Sequence, residues 1–232
     1  MRGEARMSFV AHPDPWLAEV MRRPVFRVEG AGSADELALT SGFYFAKVAS
    51  DRIADVRTLE RRGFGVVDTN VMFELQRDVT IAPTDVEVGE LVAADADAVL
   101  AIAGSAFRYS RFHLDPEIGA ELAHHVKREW IRNYVRGVRG DGLLVARIGD
   151  RPVGFLAPLI SGGAAAIDLV AVATDAHGRG AGTALVAAFC ARYAGKERLV
   201  GTQVANAPSI RLYIKLGFAL ARSQYILHHH VG

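Results

Sequence analysis

An α/β protein is predicted for this chain, and three observations carry the prediction. The apolar run from Ala165 to Ala173 is too short and too β-branched for a helix. It breaks into a glycine-rich turn, and apolar residues resume from Thr183 to Ala194 before Gly195. A second short strand, Leu199 to Ala205, leads into a short helical segment closed by Gly217. The first third of the chain also alternates strand-like and helix-like stretches. At 232 residues the chain fits one large domain, or one and a half small ones. A compositional shift at Ala82-Pro83-Thr84-Asp85 divides it into a smaller N-terminal α/β subdomain, 1–83, and a larger unit, 84–232.

Residues 1 to 15 carry no periodicity and two prolines, which predicts a loose lead-in. Pro24 to Glu29 and Gly42 to Ala49 alternate as strands, with a helix start expected at Ser33 before Asp35 and Glu36. Asp51 to Arg62 places Ile53, Val56 and Leu59 at helical spacing and stops at Gly63. Phe64 to Gln76 returns to a strand. No clustered His, Asp or Glu points to chemistry in this unit, so its expected role is structural or subunit contact, in a homodimer.

In the larger unit, Val86 to Val92 reads as a strand and Ala94 to Phe107 as a helix. Asp115 is placed to cap the following helix, with Pro116 at its first position and Glu117 matching its dipole. Ile118, Leu122, Val126, Trp130 and Tyr134 then recur every four residues, one long amphipathic helix. From Ser105 to Gly140 there are seven Arg or Lys against four Asp or Glu, a local balance of +3. A solvated face accounts for such a balance. Arg108 and Arg111 precede the helix rather than lying on its outer face, and so could instead reach an anionic substrate. Gly142 to Ile148 and Val153 to Leu159 predict a hairpin, and Phe218 to His230 a closing strand pair or one long strand. His228-His229-His230 reads as a native exposed end rather than an affinity-tag remnant or a metal site. No carboxylate or cysteine stands near it in sequence, and no metal is expected.

The turn His177-Gly178-Arg179-Gly180-Ala181-Gly182 can serve as an anion site, because glycines admit close approach and a helix N-terminus favours negative charge. It is neither the dinucleotide fingerprint, since Thr183 stands where the third glycine belongs, nor a Walker loop. On spacing alone, phosphate binding and a plain connector remain equal alternatives. The downstream pattern adds to this: Val204-x-Asn206 followed by Tyr213-x-Lys215-x-Gly217-Phe218. Together the two motifs resemble the GCN5-related N-acetyltransferase (GNAT) superfamily, whose turn reads Q/R-x-x-G-x-G/A. Here His177 replaces Gln or Arg, at the cost of one side-chain contact and none of the backbone donors.

Three segments are further similar to the TDP-fucosamine acetyltransferases, which act on 4-amino-4,6-dideoxy sugar nucleotides. They are the region from Glu60 to Leu75, then Ser110-Arg111-Phe112 with the helix ending Trp130-Ile-x-Asn133-x-Val-Arg136-Gly137, and Thr202-Gln203-Val-x-Asn206 through Tyr213 to Tyr225. This chain departs by inserting Ala173 to His177 between strand and turn, and by carrying Asp168 where a small residue is usual.

The resemblance implies a mixed, splayed central sheet flanked by helices and direct acetyl transfer from acetyl-CoA to the amine of a small molecule, a nucleotide-linked aminosugar. It implies a CoA site from Val170, Ala171 and Val172 through His177, Gly178, Arg179, Gly180, Ala181, Gly182 and Thr183, with Asn206. Tyr213 would be the general acid to the CoA sulfur, although an aromatic core position is the other reading of it. Asp168 is the only carboxylate on the central strand, a base relay or a structural partner for an arginine such as Arg147. Arg108, Ser110, Arg111 and Gln203 would meet the acceptor. The alternatives are acetylation of another amine (a polyamine, an amino acid or a protein N-terminus) or a non-catalytic acyl-CoA sensor.

Composition limits the rest. Half the residues are hydrophobic, 23% are charged and the net charge is +1, which disfavours nucleic acid as partner. The single cysteine, Cys190, fits a core position and a reducing, cytoplasmic compartment. No apolar run suggests a signal or a membrane span.

Overall fold

A computed structural model describes residues 8–232. Residues 1–7 of the expected lead-in lie outside the described residues. From Val10 onward the lead-in expectation is corrected, because β1 (Val10–Pro13) and α1 (Pro15–Met21) form there. Asp14 caps α1 by accepting the Leu17 N–H at 3.0 Å, and proline suits the first turn. The segment was misread because β1 pairs only with β2 and its side chains stay mostly exposed, which removes the alternation.

The strands β2 (Val25–Glu29), β3 (Gly42–Ala49) and β4 (Gly65–Leu75), with α2 (Ile53–Glu60), follow the alternation and helical spacing of the sequence. The helix expected at Ser33 is absent. Its hydroxyl accepts the Asp35 N–H and donates to the Asp35 carboxylate, closing a local turn instead. Next come β5 (Glu87–Glu90), α3 (Ala96–Ala103) and α4 (Ala120–Val135). The hairpin β6 (Leu144–Ile148) and β7 (Arg151–Ser161) leads to β8 (Ala164–Val172). The chain closes with α5 (Ala181–Arg192), β9 (Arg198–Gln203), α6 (Ala207–Lys215) and one 14-residue strand, β10 (Phe218–Val231).

Among the described residues, ten strands join one mixed sheet in the order β1-β2-β3-β10-β4-β9-β8-β7-β6-β5. Buried apolar clusters set α2, α5 and α6 against one face and α1, α3 and α4 against the other. The strand β10 lies between β3 and β4, and β4 lies between β10 and β9, so each half of the chain inserts a strand into the other.

This interleaving has an internal symmetry. The unit β3-α2-β4 and the unit β9-α6-β10 share one order, and each helix ends on a Gly-Phe pair. Gly63 has φ +90 and Gly217 φ +91, and their N–H groups bond Glu60 and Ile214 carbonyls at 2.9 and 3.0 Å. The sequence carries the same repeat, Leu-Glu-Arg-Arg-Gly-Phe against Tyr-Ile-Lys-Leu-Gly-Phe. In it Leu59 occupies the position of Tyr213.

Candidate active site

The central opening comes from strand pairing. The parallel strands β8 and β9 pair only at Ala165–Arg198, Ala166–Leu199 and Ile167–Val200, although β8 runs on to Val172 and β9 to Gln203. Beyond Ile167 the two strands diverge, and the β8 edge at Val170 to Val172 borders the gap without a partner strand on that side. On the other side, a bulge skips Asp168 between the Ala157–Leu169 and Pro158–Ile167 pairs. The extra residue turns Asp168 toward α4.

The glycine turn sits at the mouth of the opening. Gly178 and Gly180 have φ of +78 and +84, and Gly180 is the N-cap residue of α5. The first helical bond runs from Ala184 N–H to the Gly180 carbonyl, 2.9 Å. The N–H groups of Ala181, Gly182 and Thr183 therefore remain free to meet an anion. His177 bonds the Val172 carbonyl through Nε2 at 3.0 Å, tying the turn to the end of β8. Arg179 is an exposed cation 3.1 Å from Asp85. A Cβ at Gly180 would meet only Thr84 Oγ1 at 3.5 Å, so the cost of Gly180→Ala lies in the backbone. That cost is about 1–2 kcal/mol. We expect this variant to fold and to hold a diphosphate-bearing ligand at the turn about tenfold more weakly, as read by calorimetry.

Across the gap, Asn206 caps α6. Its Oδ1 accepts the Ser209 N–H at 3.3 Å, while its Nδ2 donates to Thr202 Oγ1 at 3.1 Å. Tyr213, on α6, is 2% exposed and packs against Phe73 and Phe218. Burial pushes its phenol up to about 12, partly offset by Ser209.

The α4 face supplies the opposite wall. A single oxygen of Asp168, Oδ2, accepts from Trp130 Nε1 (2.9 Å), Tyr134 Oη (2.7 Å) and Arg139 Nε (2.9 Å). Burial raises the Asp168 pKa, but the bonds from Arg139, Tyr134 and Trp130 outweigh it and hold the carboxylate below its ordinary value. The arginine partner is Arg139; Arg147 pairs with Asp95 instead.

The expected cap at Asp115 is corrected: α4 starts at Ala120 behind Gly119. Asp115 Oδ2 instead bonds His228 Nδ1 (2.6 Å) and His230 Nε2 (2.9 Å). Burial opposes its ionisation, but His228, His230 and the Glu117 N–H hold it down to about 2. The histidine run is thus part of β10, with His228 3% exposed, and not an exposed end. Arg111 lies 3.1 Å from His228 Nε2. A guanidinium only donates, so Nε2 accepts and Nδ1 carries the proton given to Asp115. Burial lowers His228 to about 4, consistent with a neutral ring. The ligand-type atoms of Asp115, His228 and His230 lie within 4.8 Å of one another. Their mutual bonds and the adjacent guanidinium occupy them.

Of the acceptor candidates, Arg111 lies on this wall beside His228, and Gln203 lies beside Asp68 of β4. Arg108 is exposed and makes no hydrogen bond or ion pair among the described residues. Ser110 is buried, its hydroxyl 2.6 Å from His113 Nδ1.

Sequence reasoning missed Asp68 on β4. It is 6% exposed, and neither carboxylate oxygen has a well-aligned hydrogen bond, the Thr69 N–H and the Gln203 amide making only weak, poorly directed approaches. Burial raises its pKa to about 6, only partly countered by the Thr69 N–H, Gln203 and Arg111. The raised value means that ionising Asp68 costs folding energy. The cost is absent below about pH 4, grows between pH 4 and 6, and is full above 6. Asp68→Asn is therefore expected to stabilise the protein by about 1 kcal/mol at pH 7.5 and not at all at pH 4, in urea titrations. An aspartate inside an apolar strand, two positions before Asn70, was the available signal. A separate surface cleft of about 480 Å3, between Gly32–Asp35 and Thr58–Arg62, lies away from these groups.

The sequence matches the Acetyltransferase (GNAT) family over residues 97–218. It is 31% identical over 149 residues to "Spore coat polysaccharide biosynthesis protein SpsD" of Bacillus subtilis (strain 168), covering 63% of this chain and 51% of that protein. The chain thus spans about half the length of this curated relative. A GCN5-related N-acetyltransferase from Sphaerobacter thermophilus aligns with TM-score 0.59 at 16% identity, over 82% of this chain and 60% of that one. One from Kribbella flavida aligns with TM-score 0.56 at 18% identity, over 82% and 69%. At such identities the likeness is one of fold.

Proposed function

Because this chain belongs to the acetyltransferase (GNAT) family, we propose that it transfers acetyl from acetyl-CoA to the amine of a nucleotide-linked 4-amino-4,6-dideoxy sugar. The observation that carries the reading is the three-pair contact of β8 and β9, which opens beside a turn with free amides. Those residues fit acetyl-CoA. The N–H groups of Ala181, Gly182 and Thr183 would hold its pyrophosphate with help from Arg179, and the β8 edge at Val170 to Val172, which has no partner strand on that side, would grip the pantetheine. When bound, acetyl-CoA supplies an activated acetyl thioester. A β8 N–H aimed at the carbonyl oxygen would be worth roughly 2.7–4 kcal/mol of barrier.

Tyr213 is assigned as the acid, since its high value keeps the phenol protonated at working pH. Asp168, already charged and shared by three donors, orders the acceptor wall. Asp68 is the carboxylate suited to take the amine proton, because burial pushes it up to about 6 and no well-aligned hydrogen bond ties its oxygens. The nucleotide-sugar reading draws on the SpsD relative, named for polysaccharide biosynthesis, and on the half-buried cation Arg111. Residues 1–83 are read as a partial copy of the catalytic half that completes its sheet, with a homodimer contact among its roles. Among the described residues no helix is long and apolar enough to cross a membrane. The buried Cys190 suits a cytoplasmic setting.

The test is CoA release with TDP-4-amino-4,6-dideoxy sugars, polyamines and short peptides. Turnover on the nucleotide sugars, with one acetyl added at nitrogen, is expected. Turnover on polyamines or peptides alone would remove the sugar, and tight acetyl-CoA binding with no turnover would favour a sensor.

A further inference from the structure

Three elements bring cations to one place on the α4 face, and none of these cations has an ion-pair partner. Lys127, on α4, is 7% exposed. Its ammonium sits against the rings of Phe107 (5.0 Å), Trp130 (5.1 Å) and Phe112 (6.0 Å). Arg111 comes from the loop before α4, its guanidinium 4.2 Å from the Phe112 ring and 4.0 Å from the Phe45 ring. The Asp115–His228 chain fixes it from behind. Lys47 lies two residues beyond Phe45 on the same face of β3. Ion pairs within 4.0 Å include none of the three among the described residues.

A buried cation without an ion-pair partner is costly, and a fold that gathers the buried Lys127, the half-buried Arg111 and the exposed Lys47, with Asp168, Asp115 and Asp68 acting only from beyond ion-pair distance, suits a ligand that neutralises them. We propose that Lys127, Arg111 and Lys47 form an anion subsite that takes the diphosphate, or a like phosphate group, of the acceptor. A single carboxylate would leave two of the three charges uncompensated. The subsite rests on the proposed function only in being assigned to the acceptor. It adds Lys127 and Lys47 and leaves the exposed Arg108 out.

The charge state of Lys127 gives this subsite a signature. Burial lowers it to about 7, helped by Arg111 and Lys47 and opposed by Asp168. The other groups facing it are His113, itself lowered to about 4 by burial, His124 and Lys127, and His124, which pairs with His113 at 3.1 Å. Arg139 is spent on Asp168. At pH 7.5 much of Lys127 is neutral, and an arriving dianion restores its proton. The same surroundings would lower the pKa of a substrate amine and so favour its attacking form.

Pyrophosphate is the probe, titrated into the full protein saturated with CoA so that the glycine turn is already filled. Calorimetry at pH 7.5 in two buffers of different ionisation heat should show uptake of a fraction of a proton per pyrophosphate bound, counted beyond the exchange of the pyrophosphate's own protons that the Lys127→Arg variant reports. Lys127→Met, which keeps the stem inside the rings, should weaken binding about tenfold and abolish the uptake. Lys127→Arg should keep binding without uptake, since arginine is already protonated. Binding and uptake unchanged in Lys127→Met, or no binding of pyrophosphate to the CoA-saturated protein, would overturn the subsite. If acetyl transfer to nucleotide sugars persists in that case, the subsite alone falls. If pyrophosphate binds as expected and no acetyl transfer occurs, the proposed function falls instead.

Discussion

Tyr213→Phe is expected to lower kcat by about 10²–10³-fold while leaving the KM for acetyl-CoA nearly unchanged. The ring sits in a buried cluster with Phe73 and Phe218, and phenylalanine fills the same space. Only the hydroxyl is lost. The urea midpoint should therefore match the parent, and a variant that is slow and folded separates an acid role from an aromatic core role. If Tyr213→Phe kept full kcat, the tyrosine would be a core residue and the acid would lie elsewhere. The pH profile carries a second expectation: with the phenol near 12, activity should not fall on the alkaline side before the thioester itself hydrolyses.

Asp168→Ala should be the most damaging single change to the fold. It leaves the Arg139 guanidinium, the Tyr134 hydroxyl and the Trp130 N–H facing an emptied site whose carboxylate was 14% exposed. Removing one partner of a buried pair costs about 3–5 kcal/mol, and the partial exposure of Arg139 sets the expected loss at the low end of that range. Because the folded pKa of Asp168 is depressed, its contribution is full above the unfolded value of about 3.9 and is lost as pH falls through the folded one. The stability gap between parent and Asp168→Ala should thus be wide at pH 7 and narrow toward pH 3 in urea titrations. An equal gap at both would mean that the charge of Asp168 is not what holds the wall.

Much of this fold was legible because local signals were strong. The boundaries of β3 and the Gly63 and Gly217 stops follow directly from alternation and glycine placement, and the Asn206 cap with proline two residues on reads from the sequence as it stands in α6. What the sequence did not display is set by distant partners. Asp115 has every local feature of a helix cap, yet it bonds histidines more than a hundred residues away, and α4 begins five residues later. Ser33 looks like a helix start and spends its hydroxyl on a turn. The charged wall was the least visible part. Lys127 lies one position beyond the apolar stripe of α4, Asp68 lies in a strand assigned to the N-terminal unit, and only the interleaving of β4 and β10 brings them to one face. The glycine turn, by contrast, is contiguous, and its chemistry resides in the backbone, so spacing alone could point to it.

In the proposed function an acetyl-CoA opening and a cationic acceptor wall together serve a nucleotide-linked aminosugar. The most direct measurement compares kcat/KM for a TDP-4-amino-4,6-dideoxyhexose with that for the same aminosugar lacking the nucleotide. Loss of a charge-assisted diphosphate contact predicts a ratio of about 100-fold or more in favour of the nucleotide-linked sugar, and the ratio should shrink as salt rises. Equal values for the two sugars, or turnover confined to polyamines or peptides, would contradict it.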